Sequence, residues 1–458
     1  MDIKPIKLMT FSKDGEITPE VVKEFIEKHK EEIARYQYLI NMYKGIMDIA
    51  SQKKKDDWKP DNRLAVNFPK YIVDTFTGYF NGIPVKKSHK DSKVLEKLQS
   101  FDNLNDMEDE ESELAKMACI YGRAFELLYQ DEATQTNVIY NTPENMFMVY
   151  DDSIKEEPLF AVRYGIDDDG KIQGEVYTLL ETIEINGEAS DLSFGDRTYN
   201  PYPDLPVVEF YFNEERMSIF ESVISLVNAF NKAISEKAND VDYFSDQYLA
   251  FLGAAVEEED LKNIRSNRVI NYYADGEGKN VDVKFLEKPD SDSQTENLLD
   301  RLTKLIFQTT MVANISDESF GSTSGVSLAY KLQAMSNLAL SFQRKFQSSL
   351  NSRYKLFCEL STNVSNRDAW KDIEYTFTRN EPKDIKEQAE TANILKGITS
   401  EETALSVISV IPDVQAEMEK IKKEGSSIPM FDQDKQSSEK GTDTVVSETN
   451  EEVTNAQD

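Results

Sequence analysis

Apolar residues recur with a helical period in several long stretches of the chain. Thr18, Pro19 and Glu20 form a typical helix start, because the threonine hydroxyl can cap the helix and proline is tolerated in its first turn. The apolar positions that follow predict a helix to about Ala50. The same period, with a capping-box pair of Ser and Glu before two of the segments, predicts further helices over 93–99, 107–121, 218–252, 293–312 and 327–364.

Between residues 123 and 213 the period changes to two, so this region is predicted to be rich in β-strands. Asp169-Gly170 and Asn186-Gly187 separate alternating runs and are typical of tight hairpin turns. Residues 67–85 are interpreted as a mixed segment. Further short strands are predicted at 269–273, 281–286 and 373–378. Together these patterns predict an α+β fold that is mostly α-helical.

The last part of the chain changes from short helices to a polar tail. Asp384 and Thr399 are each followed three residues later by a glutamate, which predicts two capped helices. Beyond about Glu424, Ser, Thr, Gln and acidic residues dominate and apolar residues are few. Residues 425–458 are therefore expected to form a disordered acidic tail.

The composition limits the possible functions, because the chain has 84 acidic and 52 basic residues and a net charge of −32. DNA affinity comes largely from Lys and Arg that displace counterions, so this charge alone argues against a tight DNA-binding protein. Cys119 and Cys358 are the only cysteines, and a reducing cytoplasm is therefore expected. No stretch reaches the roughly 18 apolar residues that span a bilayer, and the first residues lack the pattern of a secretory signal.

The residue types that carry catalysis or bind metals form no convincing site in the sequence. His29 and His89 have no zinc-site spacing with the two cysteines, and both are predicted to lie at the surface. Gly276–Lys279 resembles part of a phosphate loop but lacks the Ser or Thr that should follow the lysine, so a turn is favoured. Gly321–Gly325 resembles a nucleophile elbow with Thr323 in the serine position, but a flexible loop is favoured. Runs of carboxylates are interpreted as solvated turns and helix starts, so no catalytic residue, cofactor or metal is predicted.

Four stretches of the chain stand in an order and at spacings that one known family shares. They are NRLAVNFPKYIVDTFTGYFNGIPV (62–85), YGRAFELLY (121–129), PVVEFYFNEE (206–215) with the helical segment 221–253 that follows, and FGSTSGVSLAYKL (320–332). In this order they resemble the portal proteins of tailed bacteriophages, specifically those of long-tailed phages of Gram-positive bacteria. The resemblance covers about residues 20–425.

This resemblance implies the portal fold, with wing, stem, clip and crown regions that assemble as a ring around a central channel. The implied regions are a wing of N-terminal helices and a β-rich lobe (1–217), a stem helix (218–252), the clip (253–292), a second stem helix (293–313), a tunnel loop (314–325), a long wing helix and strand (326–383), the crown (384–424) and the acidic tail (425–458).

The resemblance also implies what the protein does. Copies of the chain, usually twelve, would form a ring at one capsid vertex through which double-stranded DNA passes during packaging and ejection, without sequence specificity. The implied partners are the terminase ATPase, a head-completion adaptor, and capsid and scaffold proteins, with assembly in the host cytoplasm, a final place in the virion and no membrane. The implied DNA-facing residues of the tunnel loop are Asn314, Ile315, Ser316, Asp317, Glu318, Ser319, Phe320 and Gly321. An acidic channel wall would let DNA slide, since few phosphate contacts would hold it.

Two other hypotheses remain open. Another phage scaffold or adaptor protein with long helices would explain the acidity and the missing catalytic groups, but not the four ordered stretches. A hydrolase that uses Gly321–Gly325 or a carboxylate pair is the second alternative, and it would lose activity on Thr323→Ala.

Overall fold

The computed structural model describes residues 7–56, 59–188, 191–245, 249–252, 282–285, 292–316, 325–381, 385–408, 410–411 and 414–423. The chain divides into a larger unit, Met1–Glu381, and a C-terminal unit, Pro382–Asp458.

The described residues form helices in the predicted helical stretches and strands in the predicted β-rich region. The helices are α1 (Pro19–Tyr43), α2 (Phe68–Asn81), α3 (Ser92–Leu104), α4 (Met107–Tyr121), α5 (Ile224–Ser245), α6 (Asp292–Thr310), α7 (Gly325–Glu359), α8 (Ile385–Leu395), α9 (Glu401–Ser406) and α10 (Val414–Lys423). The strands are β1 (Met9–Phe11), β2 (Lys86–Ser88), β3 (Arg123–Gln130), β4 (Thr136–Asn141), β5 (Met146–Asp151), β6 (Pro158–Ile166), β7 (Lys171–Thr178), β8 (Glu181–Glu188), β9 (Asp191–Tyr199), β10 (Val207–Tyr211), β11 (Leu249–Leu252), β12 (Asp282–Phe285) and β13 (Glu374–Thr376). The predicted α+β class is confirmed.

Helix α1 begins as predicted but ends earlier than the sequence pattern indicates. Thr18 Oγ1 accepts a hydrogen bond from the amide of Val21 at 3.4 Å, and Pro19 is the first helical residue. The helix stops at Tyr43 because Gly45 adopts a left-handed conformation with φ 84°. The predicted extension to Ala50 is therefore wrong, and residues 48–51 form a separate 3₁₀ turn.

Helix α2 corrects the interpretation of residues 67–85 as a mixed segment. Asn67 caps it by accepting a hydrogen bond from the Lys70 amide at 3.0 Å. The helix is rich in aromatic and β-branched residues, which have modest helix propensity, so the sequence pattern alone was ambiguous. Burial of Ile72, Val73 and Phe76 in the core stabilises the helix in spite of that propensity.

Two sheets form the predicted β-rich region, which is confirmed. The larger sheet has the order β1-β5-β6-β7-β8-β9, and the smaller has the order β10-β3-β4. One face of the larger sheet packs on α1 through an apolar cluster that includes Phe25 and Phe160. Residues of its opposite face, including Met148 and Tyr177, share a second cluster with Phe125 of the smaller sheet.

The two predicted hairpin turns have different outcomes. Asp169-Gly170 lies in the turn between β6 and β7, with Gly170 at φ 82°. Asn186-Gly187 lies inside β8, so that prediction is wrong. A Cβ atom on Gly187 would stand 2.2 Å from the backbone oxygen of Asp191, so the glycine permits close approach of β9 and does not make the turn.

The helical core of the larger unit forms around α2 and α7. Phe76 and Phe80 of α2 contact Phe342 and Phe346 of α7, with ring centroids 4.6 to 6.1 Å apart. Helix α7 is 35 residues long, so the long helix predicted from residue 327 is confirmed, but it ends at Glu359 and not at the predicted 364.

The helix predicted over 218–252 is only partly correct. Ser218 N donates to Glu221 Oε2 at 2.8 Å, which is one half of the predicted capping box. Helix α5 ends at Ser245, and Leu249–Leu252 is a strand that pairs with β12. A short continuous apolar run fits either structure, which explains the error.

Two further helix starts differ from the predictions, and two predicted segments lie outside the described residues. Helix α6 begins at Asp292, so Ser293 lies in its first turn and is not its cap. In the C-terminal unit Ser400, not Thr399, caps α9 and accepts a hydrogen bond from the Thr403 amide at 3.2 Å. The predicted strand 269–273 and the tail 425–458 lie outside the described residues. Among the helices of the described residues, none is long and apolar enough to cross a membrane.

Candidate functional site

The loop predicted to face DNA starts at the end of α6. Thr310 is the last helical residue, and Met311 ends the helix with a left-handed φ of 59°. Val312 and Ala313 then turn into the apolar core, where both are buried. The first residues of the predicted loop therefore start from a fixed point in the core.

Three of the eight predicted site residues belong to the described part of the chain. Asn314 is half-buried, and Ile315 is 54% exposed. The amide and the hydroxyl of Ser316 both donate to Tyr71 Oη, at 3.2 and 3.3 Å. The base of the loop is thus tethered to α2. Asp317–Gly321 and the rival nucleophile at position 323 lie outside the described residues.

Tyr71 belongs to a series of aromatic contacts between three helices. It contacts Phe307 of α6 edge to face, with the ring centroids 5.6 Å apart. Phe307 also contacts Phe68 of α2 at 5.9 Å, and Phe68 contacts Phe230 of α5 at 4.9 Å. These edge-to-face contacts fix the position of Tyr71 relative to α5 and α6. The hydrogen bonds from Ser316 to Tyr71 therefore start from a fixed point.

A row of polar side chains on α5 holds the extended segment 62–66, which begins the first stretch that carries the family resemblance. The bonds run from Asn62 N to Asn239 Oδ1 (2.6 Å), from Leu64 N to Ser235 Oγ (2.9 Å) and from Val66 N to Asn231 Oδ1 (2.8 Å). The acceptors recur every four residues, so they share one helix face, while alternate amides of an extended chain point the same way. Sequence reasoning missed this contact because it followed apolar positions only. The N-x3-S-x3-N spacing in a long helix was the available signal.

A buried ionic network ties α7 to the rest of the larger unit. Its bonds run from Arg353 Nε and Nη2 to the two oxygens of Glu126 (2.7 and 2.6 Å), from Arg353 Nη1 to Glu111 Oε1 (2.6 Å), and from Lys87 Nζ to Glu111 and Asp102 (2.9 Å each). Arg353 and Glu126 are completely buried. Burial raises the pKa of Glu126, and the charge of Arg353 opposes that rise. The guanidinium group of Arg353 binds Glu111 of α4 and Glu126 of β3, and it therefore fixes α7 against both elements.

The residues examined for catalysis do not form a site within the described part of the chain. His29 was predicted to lie at the surface, and that prediction is wrong because its side chain is fully buried. Cys119 and Cys358 are buried and unbonded, and burial raises the pKa of both thiols, so neither is an activated nucleophile. His89 is half-buried at the surface. Among the described residues no group of three or more His, Cys, Asp or Glu is placed to hold a metal.

Comparison with known proteins identifies one family over most of the chain. The family model "Phage portal protein, SPP1 Gp6-like" matches residues 22–428. The portal protein of Bacillus phage SPP1 is 26% identical over 407 residues, which cover 82% of this chain and 79% of that protein. The portal protein of Clostridium phage phiCD119 is 24% identical over 390 residues, which cover 79% of this chain and 84% of that protein.

Comparison with solved structures gives a weaker likeness. A chain from the structure titled "Neck of empty GTA particle computed with C6 symmetry" aligns with 72% of this chain and 83% of its own length. The TM-score is 0.41 and the sequence identity is 12%, which is too low to add to the family match.

Proposed function

The chain belongs to the SPP1 Gp6-like family of phage portal proteins, and we propose that its copies close into a ring through which double-stranded DNA passes at one capsid vertex. As a portal protein it is a structural component of the phage particle. The observation that carries the proposal is the family match, which spans residues 22–428 and so includes nearly all described residues. The ring would serve packaging and ejection of the genome, and it would be the platform for procapsid assembly.

The stem, clip, wing and crown of this ring would each correspond to particular elements of the structure. Helices α5 and α6 would form the stem, and the clip would lie between them and include β11 and β12. Residues 314–321 would form the DNA-facing loop. The wing would contain the remaining elements of the larger unit, and α8 to α10 would belong to the crown. Proposed partners are the terminase ATPase, the head-completion adaptor, and capsid and scaffold proteins.

The arrangement of the larger unit supports a framework more than a moving enzyme. A loop that guides DNA needs a rigid base, and here the aromatic series at Tyr71 would provide it. The buried network at Arg353 fixes the other end of α7 in the same unit. The buried cysteines and His29 contribute no exposed reactive group. We assign the chain no catalytic role, and the motor activity would belong to a separate chain.

Ring formation is tested by negative-stain electron microscopy of the purified protein, paired with native mass spectrometry. We expect closed rings of about a dozen copies, with a channel wide enough for a DNA duplex, roughly 20 Å or more. A defined assembly without a closed ring would favour the scaffold or adaptor hypothesis instead.

The role of the loop is tested separately with Tyr71→Phe, which keeps the ring contact with Phe307 but removes both hydrogen bonds to Ser316. Because the Ser316 amide loses its bond to Tyr71 Oη, its exchange should speed up roughly three- to tenfold. We expect closed rings to form but less DNA to be packaged per particle. Tyr330→Phe is the matched control, because that side chain is 74% exposed on α7. Normal packaging after deletion of 317–321 would show that this loop does not act on DNA.

A further inference from the structure

A groove of about 730 Å³ lies on the face of the larger sheet opposite α1, where the smaller sheet ceases to cover it. Its floor is a row across three strands, Tyr177 on β7, Thr182 on β8 and Thr198 on β9. The end of β3 forms one wall, and the segment 199–206 forms another. The proposed portal function uses none of these residues.

Tyrosine and leucine side chains make the rim of the groove unusually apolar for an exposed surface. Tyr199 is 81% exposed and Tyr129 is 45% exposed, and both line the groove. Leu179 and Leu180 in the adjacent β7–β8 turn are 44% and 75% exposed. Clustered exposed apolar side chains typically mark interaction sites, whereas isolated ones do not. Tyrosine is enriched at interfaces because it offers a large apolar face and a polar end.

A single buried asparagine holds the rim in place. The Asn200 side-chain amide donates to the carbonyl oxygens of Thr178, Leu179 and Asp204 at 3.1 to 3.2 Å, and its oxygen accepts from the Tyr202 amide at 3.0 Å. Asn200 is 2% exposed, so these bonds are shielded from water. They join the leucine turn to the segment 199–206. A rim that is already ordered loses little entropy when a partner binds.

The charge of the groove favours a basic partner. Glu175 is the one charged residue among those that line it. Glu175 stands directly opposite Glu184 on β8 and directly opposite Arg163 on β6, so this row carries two anions and one cation. Arg163 Nε donates to Asn141 Oδ1 at 3.0 Å, and Tyr177 Oη donates to the carboxylate of Glu175. Arg163 can balance one of the two carboxylates, and the other adds an unfavourable like-charge contact between neighbouring strands. An incoming Lys or Arg would relieve that repulsion.

From the tyrosine rim, the exposed leucines and the unbalanced carboxylate we propose that this groove binds an extended, basic segment of a partner protein. One Arg or Lys of that segment contacts Glu175 beside Tyr177, whose hydroxyl donates to the same carboxylate, and the cation also gains from the aromatic lining of the groove. Apolar side chains that flank the cation pack against Leu180 and Tyr199. An acidic segment is disfavoured, because it would add charge to a row that already carries an excess anion.

The test measures fluorescence anisotropy of a fluorescein-labelled peptide of repeated Pro-Leu-Arg triplets with the purified full-length chain. Glu175→Gln should weaken binding about tenfold, as expected for loss of a charge-assisted contact. Tyr199→Ser should weaken it by about the same factor, because it removes the apolar face against which the peptide packs. A peptide of repeated Pro-Leu-Glu triplets should not bind. Glu31→Gln and Tyr330→Ser are matched controls, since they remove the same side-chain types from exposed positions on α1 and α7. Each variant should unfold at the same midpoint temperature as the wild-type protein, which shows that it is folded.

Three results would overturn the proposal. Equal loss of affinity in the groove variants and the controls would show that the peptide responds only to net charge. Equal binding of the Pro-Leu-Glu peptide would refute the charge preference. If Glu175→Gln and Tyr199→Ser abolished ring closure, the groove would be an interface between copies of this chain. Rings that persist while peptide binding is lost support the groove independently of the portal assignment.

Discussion

His29 occupies a site in which only its neutral form fits. Its Nε2 lies 2.7 Å from the carbonyl oxygen of Pro143, which can only accept, so Nε2 carries the proton. Its Nδ1 lies 2.9 Å from Tyr164 Oη and accepts from that hydroxyl. Burial lowers the pKa of His29 to about 4, aided by the charge of Arg123, while the Pro143 carbonyl acts in the opposite direction.

Stability should therefore fall as the pH drops from about 6.5 to about 4. In this window the unfolded chain binds a proton at residue 29 and the folded chain does not, so protons favour unfolding. The shift from 6.5 to about 4 corresponds to about 3 kcal/mol. His29→Gln should remove that part of the pH dependence, which urea unfolding at several pH values measures.

The protonation of His29 can also be followed directly. The chain has two histidines, so NMR spectra of histidine-labelled protein contain two imidazoles, and His29→Gln assigns them. A resonance of His29 that titrates near pH 6.5 would contradict the buried neutral state.

Arg353 should be far more sensitive to replacement than its charge alone suggests. Arg353→Met leaves Glu126 buried without its cation, and loss of one partner of a buried pair costs about 3 to 5 kcal/mol of unfolding free energy. Arg344→Met is the matched control on the same helix, because Arg344 is exposed, and its effect should stay within about 0.5 kcal/mol. Urea unfolding compares the two. Similar midpoints for both variants would show that the network does not stabilise the fold.

At the scale of elements, local signals predicted some boundaries well. Helix α4 was predicted over Met107–Tyr121, and those are its limits. Gly122 ends it with a left-handed φ of 90°, and a Cβ atom there would stand 2.0 Å from the carbonyl oxygen of Arg216. The signal for this helix end lies in adjacent residues, so the sequence pattern was sufficient.

Elements whose structure depends on distant contacts were not predictable in the same way. Helix α2 is stabilised by its burial against α7, and the sequence around residue 72 does not contain that information. Charged neighbours around His29 suggested a surface position, but Pro143 and Tyr164 surround its ring from a different part of the chain. For the loop, the sequence predicted its position between two helices, but not its tether at Tyr71.

The polar row of α5 gives a prediction at the element scale. Ser235→Ala removes the acceptor for the Leu64 amide and leaves that group without a partner, which costs about 1 to 3 kcal/mol. Amide exchange should accelerate at Leu64, and then at Asn62 and Val66 if the row acts as a unit. Lys232→Ala on an exposed face of the same helix should change neither exchange nor stability. Acceleration spread evenly over α5 would indicate general loosening of the helix and not loss of the row.

For the whole molecule, the position of the charge matters more than its sum. The buried charged residues of the described part include four arginines, Arg35, Arg123, Arg216 and Arg353, and four acids, Glu111, Glu126, Asp151 and Glu221. These charges cancel. Among the described residues, the excess of negative charge therefore lies outside the buried interior, at the surface.

This distribution predicts that the assembled protein holds DNA very weakly. A random-sequence duplex of about 25 base pairs should bind with a Kd above about 1 mM near physiological salt, weaker than the roughly 10⁻⁴ to 10⁻⁶ M of ordinary non-specific binders. Affinity should also change little between about 50 and 200 mM NaCl, because few phosphates lose their counterions. Fluorescence anisotropy with labelled duplex measures both. Micromolar binding with a steep salt dependence would mean that a basic surface faces the channel, and an acidic sliding wall would then be the wrong account of how DNA passes.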